Sequence, residues 1–142
     1  MHLFVYGTLL SNIPSSMAKF LRRRATLVGP ATVAGALYDL GMYPGFQTGD
    51  GGEVQGELHE LDATKEEETL AMLDAYEGVT GEPEDEYIRT EISCRLENGR
   101  VVTAQTYISR SIPATAKQIE SGNYQQFYAG NTEHQRFVNG GE

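Results

Sequence analysis

The chain has 142 residues and carries 20 Asp plus Glu against 11 Lys plus Arg, a formal charge of −9 with a sequence pI near 4.8. That balance argues against nucleic acid or an anionic membrane as a partner, because both are gripped by clustered positive charge. A hydrophobic content of 39% with 8 Tyr and 5 Phe is too apolar for a disordered chain, the length suits one domain, and no run of about 18 apolar residues is present to cross a membrane.

The acid is unevenly placed, with 16 acidic and 3 basic residues between Asp50 and Glu97. The block lacks the calcium-loop pattern and reads as solvated surface. The single Cys94 excludes an internal disulfide and a cysteine-based zinc cluster, and His2, His59 and His134 lack metal-ligand spacing, so no metal site is expected. The N-terminus has no basic stretch followed by an apolar segment, so a reducing, cytoplasmic setting is expected.

His2 to Tyr6 is a β-rich run ending at Gly7, apolar on successive positions, which predicts a central strand covered on both faces. Pro14-Ser15-Ser16 opens a short helix through Met17, Phe20 and Leu21, closed by Arg22, Arg23 and Arg24, whose cations suit the helix C-terminus. Ala31 to Leu40 reads as a second strand. The five glycines between Gly41 and Glu53 predict a long irregular connection, and Val54 to Leu61 alternates as a half-buried strand. Gly35 and Gly56 interrupt strand patterns, as expected of bulges or tight curvature in a curled sheet or small barrel.

Thr64 to Tyr76 is the clearest helix: Thr64 and Glu67 fit a capping box, the first turn is acidic, and Gly78 is placed to stop it. Two further strands, Tyr87 to Leu96 and Arg100 to Ile108, flank the hairpin signal Asn98-Gly99. Ala114 to Ser121 is expected to form a last helix. The domain is expected to span residues 1–130, with 131–142 a polar tail.

Three features carry chemistry. Tyr6-Gly7-Thr8-Leu9 ends a strand in a turn that fits both plain turn chemistry and a set of backbone N–H groups aimed at a carboxylate or carbonyl oxygen, and spacing leaves both open. Glu77 continues the stripe Leu70, Leu73, so the helical period carries a core-facing line onto a carboxylate. Burial would raise its pKa and suit it to general base work; a swing to solvent or a pairing with Arg89 fits the spacing too. The aromatic set Tyr6, Tyr38, Tyr43, Tyr76, Tyr87 and Tyr107 is expected to be at least half core, with one or two members lining a pocket.

Leu3-Phe4-Val5-Tyr6-Gly7-Thr8-Leu9, Leu37-Tyr38-Asp39-Leu40, Tyr43-Pro44-Gly45, Val54-Gln55-Gly56-Glu57-Leu58, Leu73-Asp74-Ala75-Tyr76-Glu77-Gly78, Tyr87-Ile88-Arg89 and Ala104-Gln105-Thr106-Tyr107 occur in an order that resembles the γ-glutamylcyclotransferase-like family over residues 2 to 128. The resemblance implies an α+β fold, a small curled mixed β-barrel with flanking helices, and a pocket beside the end of the first strand. It implies that Tyr6, Gly7, Thr8 and Leu9 hold the substrate, that Glu77 is the catalytic glutamate, and that Tyr107 lines the pocket. Ser121-Gly122-Asn123-Tyr124 departs from the Ser-Gly-Asp-Trp pattern frequent in that family.

The activity implied is release of 5-oxo-proline from a small γ-glutamyl amino acid, peptide or amine, by a monomer or homodimer that needs no cofactor. The reading from another class is a non-catalytic protein that holds a small carboxylate or peptide end in the same pocket.

Overall fold

The computed structural model describes residues 1–140. Strand β1 (His2–Val5) lies between β3 (Pro44–Leu61), to which it is antiparallel, and β5 (Val101–Ser109), to which it is parallel. Strand β4 (Tyr87–Leu96) continues the sheet from β5 to β2 (Ala25–Asp39), and β2 pairs with β3, so these five strands close into a mixed barrel. Closure explains the apolar first strand: with a neighbour on each edge, Leu3, Phe4 and Val5 are at most 3% exposed. Gly56 is required by the same closure, since a Cβ there would run into the Val5 carbonyl oxygen. At Gly35 the β2–β3 register shifts, as its sequence context predicts.

Three segments take a form other than the one expected. The irregular stretch expected from Gly41 to Glu53 is mostly strand: β2 and β3 form one long hairpin turned through residues 40–43. Only Gly49 to Gly52 stand out of register, between the pairs Ala34–Glu53 and Gly35–Thr48. Three of the five glycines, Gly49, Gly51 and Gly52, therefore serve a local excursion from a paired ladder, which removes the need for a long loop. The last helix expected at Ala114 to Ser121 is instead a short strand, β6 (Lys117–Ile119), which satisfies its backbone groups on β2 and buries Ile119 opposite Leu37. Beyond it come α3 (Tyr124–Ala129) and α4 (Thr132–Gly140). The polar tail expected at 131–142 is thus a helix as far as residue 140, because its polar composition hides two inward residues, His134 and Val138, at 0% and 3% exposure.

The departure at Ser121-Gly122-Asn123-Tyr124 has a structural role. Gly122 accepts a backbone bond from Gln55, Asn123 caps α3 by accepting from the Gln126 N–H, and Tyr124 is fully buried.

Helix α1 (Ser16–Arg24) is capped by Ser15, whose Oγ accepts from the Ala18 N–H and donates to the Thr8 carbonyl at 2.6 Å. Of its terminal arginines, Arg22 donates to the Ser11 carbonyl and Arg24 pairs with Glu68. Helix α2 (Glu66–Glu77) starts two residues later than expected, and the capping box does not form. Asp62 Oδ1 accepts from both the Thr64 hydroxyl and its N–H, so a nearer carboxylate captures the residue that would have capped the helix. The other end is as the sequence predicts. Gly78 at φ 71° donates to the Ala75 carbonyl and Val79 to that of Asp74, which ends the helix with a left-handed residue. Leu70 and Leu73 are buried, each contributing roughly 1.5–3 kcal/mol, and their stripe turns Glu77 inward.

Candidate active site

Where β1 ends, Tyr6 to Leu9 turn across the barrel mouth and face the last turn of α2. The space between them is a cavity of about 380 Å³, whose lining includes Tyr6, Gly7, Thr8, Leu9, Glu77 and Tyr107. All six site residues expected from the sequence therefore meet at one cavity, although 101 positions separate the first from the last.

The turn is built for close approach. Leu10 N–H donates to the Gly7 carbonyl at 3.0 Å, a bond that uses neither of the inner amides of Thr8 and Leu9. A Cβ on Gly7 would come within 2.8 Å of Pro44 Cγ, so glycine lets the turn lie against β3. The Ser15 cap fixes the Thr8 carbonyl, and the Thr8 hydroxyl shares a 2.8 Å bond with the Tyr76 hydroxyl of α2.

Glu77 is partly exposed because it looks into this cavity, yet protein surrounds its carboxyl group. Burial, with the like charge of Glu86 as the second cause, pushes its pKa to about 7. The alternative pairing with Arg89 is not made: the Arg89 guanidinium donates to both oxygens of Asp74, at 2.9 and 3.3 Å. Asp74 also accepts from the Tyr107 hydroxyl at 2.7 Å. The neighbouring carboxylate of α2 thus carries the ion pair, and among the described residues no cation pairs with Glu77.

The tyrosines line the cavity more fully than the sequence predicts. Tyr6, Tyr43, Tyr76, Tyr87 and Tyr107 all reach it, and only Tyr38 of the set does not. Their hydroxyls are also held by protein: Tyr6 donates to the Tyr107 carbonyl at 2.7 Å and Tyr87 to that of Pro44 at 2.6 Å. Burial raises all four of Tyr6, Tyr43, Tyr87 and Tyr107 above the usual phenol range, Tyr43 to about 12, so these walls stay neutral at physiological pH. A single side chain serves here as both core and pocket wall.

Two lining residues carry no signal in the sequence. Glu86 belongs to the acidic connector read as solvated surface, yet it accepts from Tyr43 at 2.9 Å and faces the cavity. Phe137 comes from the stretch read as a tail. Only the docking of the connector and of α4 reveals them. A second acid of the block, Glu57, is also turned inward, where it accepts from the Ser11 N–H and hydroxyl at 2.9 and 2.7 Å. Among the described residues no group of three or more His, Cys, Asp or Glu side chains is arranged to hold a metal ion.

A family model described as gamma-glutamyl cyclotransferase, AIG2-like, matches residues 3–126. Similar solved structures include protein ytfP from Escherichia coli, at 32% identity over 87% of this chain and 96% of that one with a TM-score of 0.56. An uncharacterized protein, PH0828, from Pyrococcus horikoshii shares the fold at 22% identity, 91% and 93% coverage and a TM-score of 0.63. An AIG2-like protein from Mus musculus does so at 24% identity, 80% and 79% coverage and a TM-score of 0.62. A search of curated proteins returns no significant match. The family model spans the barrel, the turn at Gly7 and the end of α2, and on that extent the chain belongs to the γ-glutamyl cyclotransferase, AIG2-like family.

Proposed function

We propose that the protein cyclises a small γ-glutamyl compound, releasing 5-oxo-proline and an amine or amino acid. The free α-amine of the γ-glutamyl group attacks its own γ-carbonyl carbon. A five-membered lactam forms and the original amide C–N bond breaks. An α-ammonium is no nucleophile, so a base must first remove its proton, and Glu77 is the group suited to that task. The same carboxyl group then delivers the proton to the departing nitrogen.

The observation that carries this reading is a carboxyl group walled in by protein at the cavity that also receives the turn at Gly7, unpaired with any cation among the described residues, where burial pushes its pKa to about 7. The α-amine of a γ-glutamyl group stands beside its own carboxylate and is more basic than a peptide N-terminus, so raising the pKa of Glu77 narrows the gap across which the proton moves. The inner amides of Thr8 and Leu9 offer donors to the substrate and to the oxyanion that develops at the γ-carbonyl. Ring closure has its reactants already tethered, so the fixed tyrosine walls need mainly hold the folded conformer.

The test is 5-oxo-proline release from a panel of γ-glutamyl amino acids and γ-glutamyl amines, run beside Glu77→Gln. The variant keeps the shape and removes the base, so turnover should fall by about 10²–10⁴ while binding survives. Binding of the panel with no 5-oxo-proline from the wild-type protein would refute turnover and leave a small-molecule binding protein.

A further inference from the structure

The mouth of the cavity is completed by a residue that the family model does not reach, Phe137. Helix α4 lies beyond residue 126 and is clasped to the barrel by a buried relay. Tyr124 donates to His134 Nδ1 and His134 Nε2–H donates to Asp39, both at 2.8 Å, with the imidazole 0% exposed. One turn on from this anchor, Phe137 packs against Tyr43 with ring centroids 5.4 Å apart. Tyr43 in turn donates to the exposed Glu86, and Tyr43, Glu86 and Phe137 all line the cavity. The rim is therefore two aromatic rings beside a carboxylate.

The charge around the cavity has one sign. Among the described residues lining it, Glu77 and Glu86 are the ionisable acids and no Lys, Arg or His is present. Two arginines of the neighbouring strand and loop are held by other partners: Arg89 is on Asp74, and Arg110 donates to the main-chain carbonyls of Asp85 and Glu82. A substrate's own α-carboxylate can be met by the amides at Thr8 and Leu9. A second carboxylate on the leaving group would meet Glu86 with no cation to offset it. A second ammonium there would meet a carboxylate and two aromatic rings, groups that hold organic cations.

Resting on the proposed cyclisation, we infer that Tyr43, Glu86 and Phe137 form a leaving-group subsite selecting γ-glutamyl compounds whose departing amine bears a further positive charge, that is, mono-γ-glutamyl diamines or polyamines. The reaction is unchanged: the α-nitrogen bonds to the γ-carbon, the amide C–N bond breaks, and the diamine leaves with the proton relayed by Glu77.

Three probes that differ only at the chain end test this: γ-glutamyl-1,4-diaminobutane, its methyl-ended analogue γ-glutamyl-pentylamine, and the carboxylate-ended γ-glutamyl-4-aminobutanoate. Rates of 5-oxo-proline release should favour the ammonium end over methyl by about tenfold in kcat/KM, and over carboxylate by about a hundredfold. Glu86→Gln should reduce the ammonium-to-methyl ratio by about three- to fivefold. Phe137→Leu, which keeps an apolar wall and removes the ring face, should reduce it about two- to threefold. Each ratio is taken within one variant, so any change that Glu86 causes in the basicity of Glu77 cancels. Equal or better turnover of the methyl- or carboxylate-ended probe, or a ratio unmoved in both variants, would overturn the subsite.

Calorimetric titration of the same probes separates this from the reaction itself. Ammonium-selective binding without 5-oxo-proline would leave the subsite standing and remove the reaction. Turnover without end selectivity would do the reverse, and neither binding nor turnover would remove both.

Discussion

Holding Glu77 at the barrel mouth costs the fold stability, and Glu77→Gln should recover it in a pH-dependent way. An ordinary glutamate in the unfolded chain titrates near 4.5, whereas the folded carboxyl group titrates near 7. Between those values the folded state binds more protons than the unfolded state, so stability falls as pH rises through this window and stays low above it. The shift corresponds to roughly 3 kcal/mol when complete, of which roughly 2–3 kcal/mol is lost between pH 5 and pH 8. Gln has no proton to lose, and its stability carries no such slope. Urea unfolding of both proteins at pH 5 and pH 8 gives the difference directly, with other titrating groups common to the two. The stability of Glu77→Gln relative to wild type should increase by roughly 2–3 kcal/mol from pH 5 to pH 8, equivalent to several degrees in Tm. A difference that is flat with pH, or one that moves in favour of wild type as pH rises, would refute a desolvated, cation-free carboxyl group and the general base built on it.

The pH profile of kcat/KM should rise tenfold per unit up to a limb near pH 7, and Glu86→Gln should move that limb to lower pH without returning it to 4.5, since burial is the larger cause of the shift. Ser15→Ala removes the cap of α1 and the bond to the Thr8 carbonyl together, so unfolding should show a loss of about 1–2 kcal/mol and kinetics a raised KM. Thr69 is 0% exposed with no partner for its hydroxyl among the described residues, and Thr69→Val should stabilise the protein by about 1–2 kcal/mol in the same unfolding assay. His134→Ala strands Asp39 and the Tyr124 hydroxyl and should cost about 2–4 kcal/mol.

Elements governed by local chemistry were legible in the chain alone. The doubly covered first strand, the helix start at Pro14-Ser15-Ser16, the Gly78 stop and the Asn98-Gly99 hairpin all follow from a few neighbouring residues, and each is present in the fold. So is the inward direction of Glu77, because helical period ties it to Leu70 and Leu73. Where several partners compete, local rules misled: Thr64 binds Asp62 in place of capping α2, and the 114–121 segment pairs with β2 in place of coiling.

The sequence by itself determined the helical stripe that aims Glu77 inward and the place of the turn after the first strand, and left open where the Glu77 carboxylate would end. Only the tertiary structure decided that Arg89 does not pair with Glu77, because Asp74, three residues earlier on the same helix, takes that arginine from β4. Only the structure brought Glu86 and Phe137 to the rim, since neither has a pattern of its own and each arrives with a segment docked from elsewhere. Periodicity sets the direction of a side chain within its element. The charge and shape it meets depend on which elements close the barrel around it.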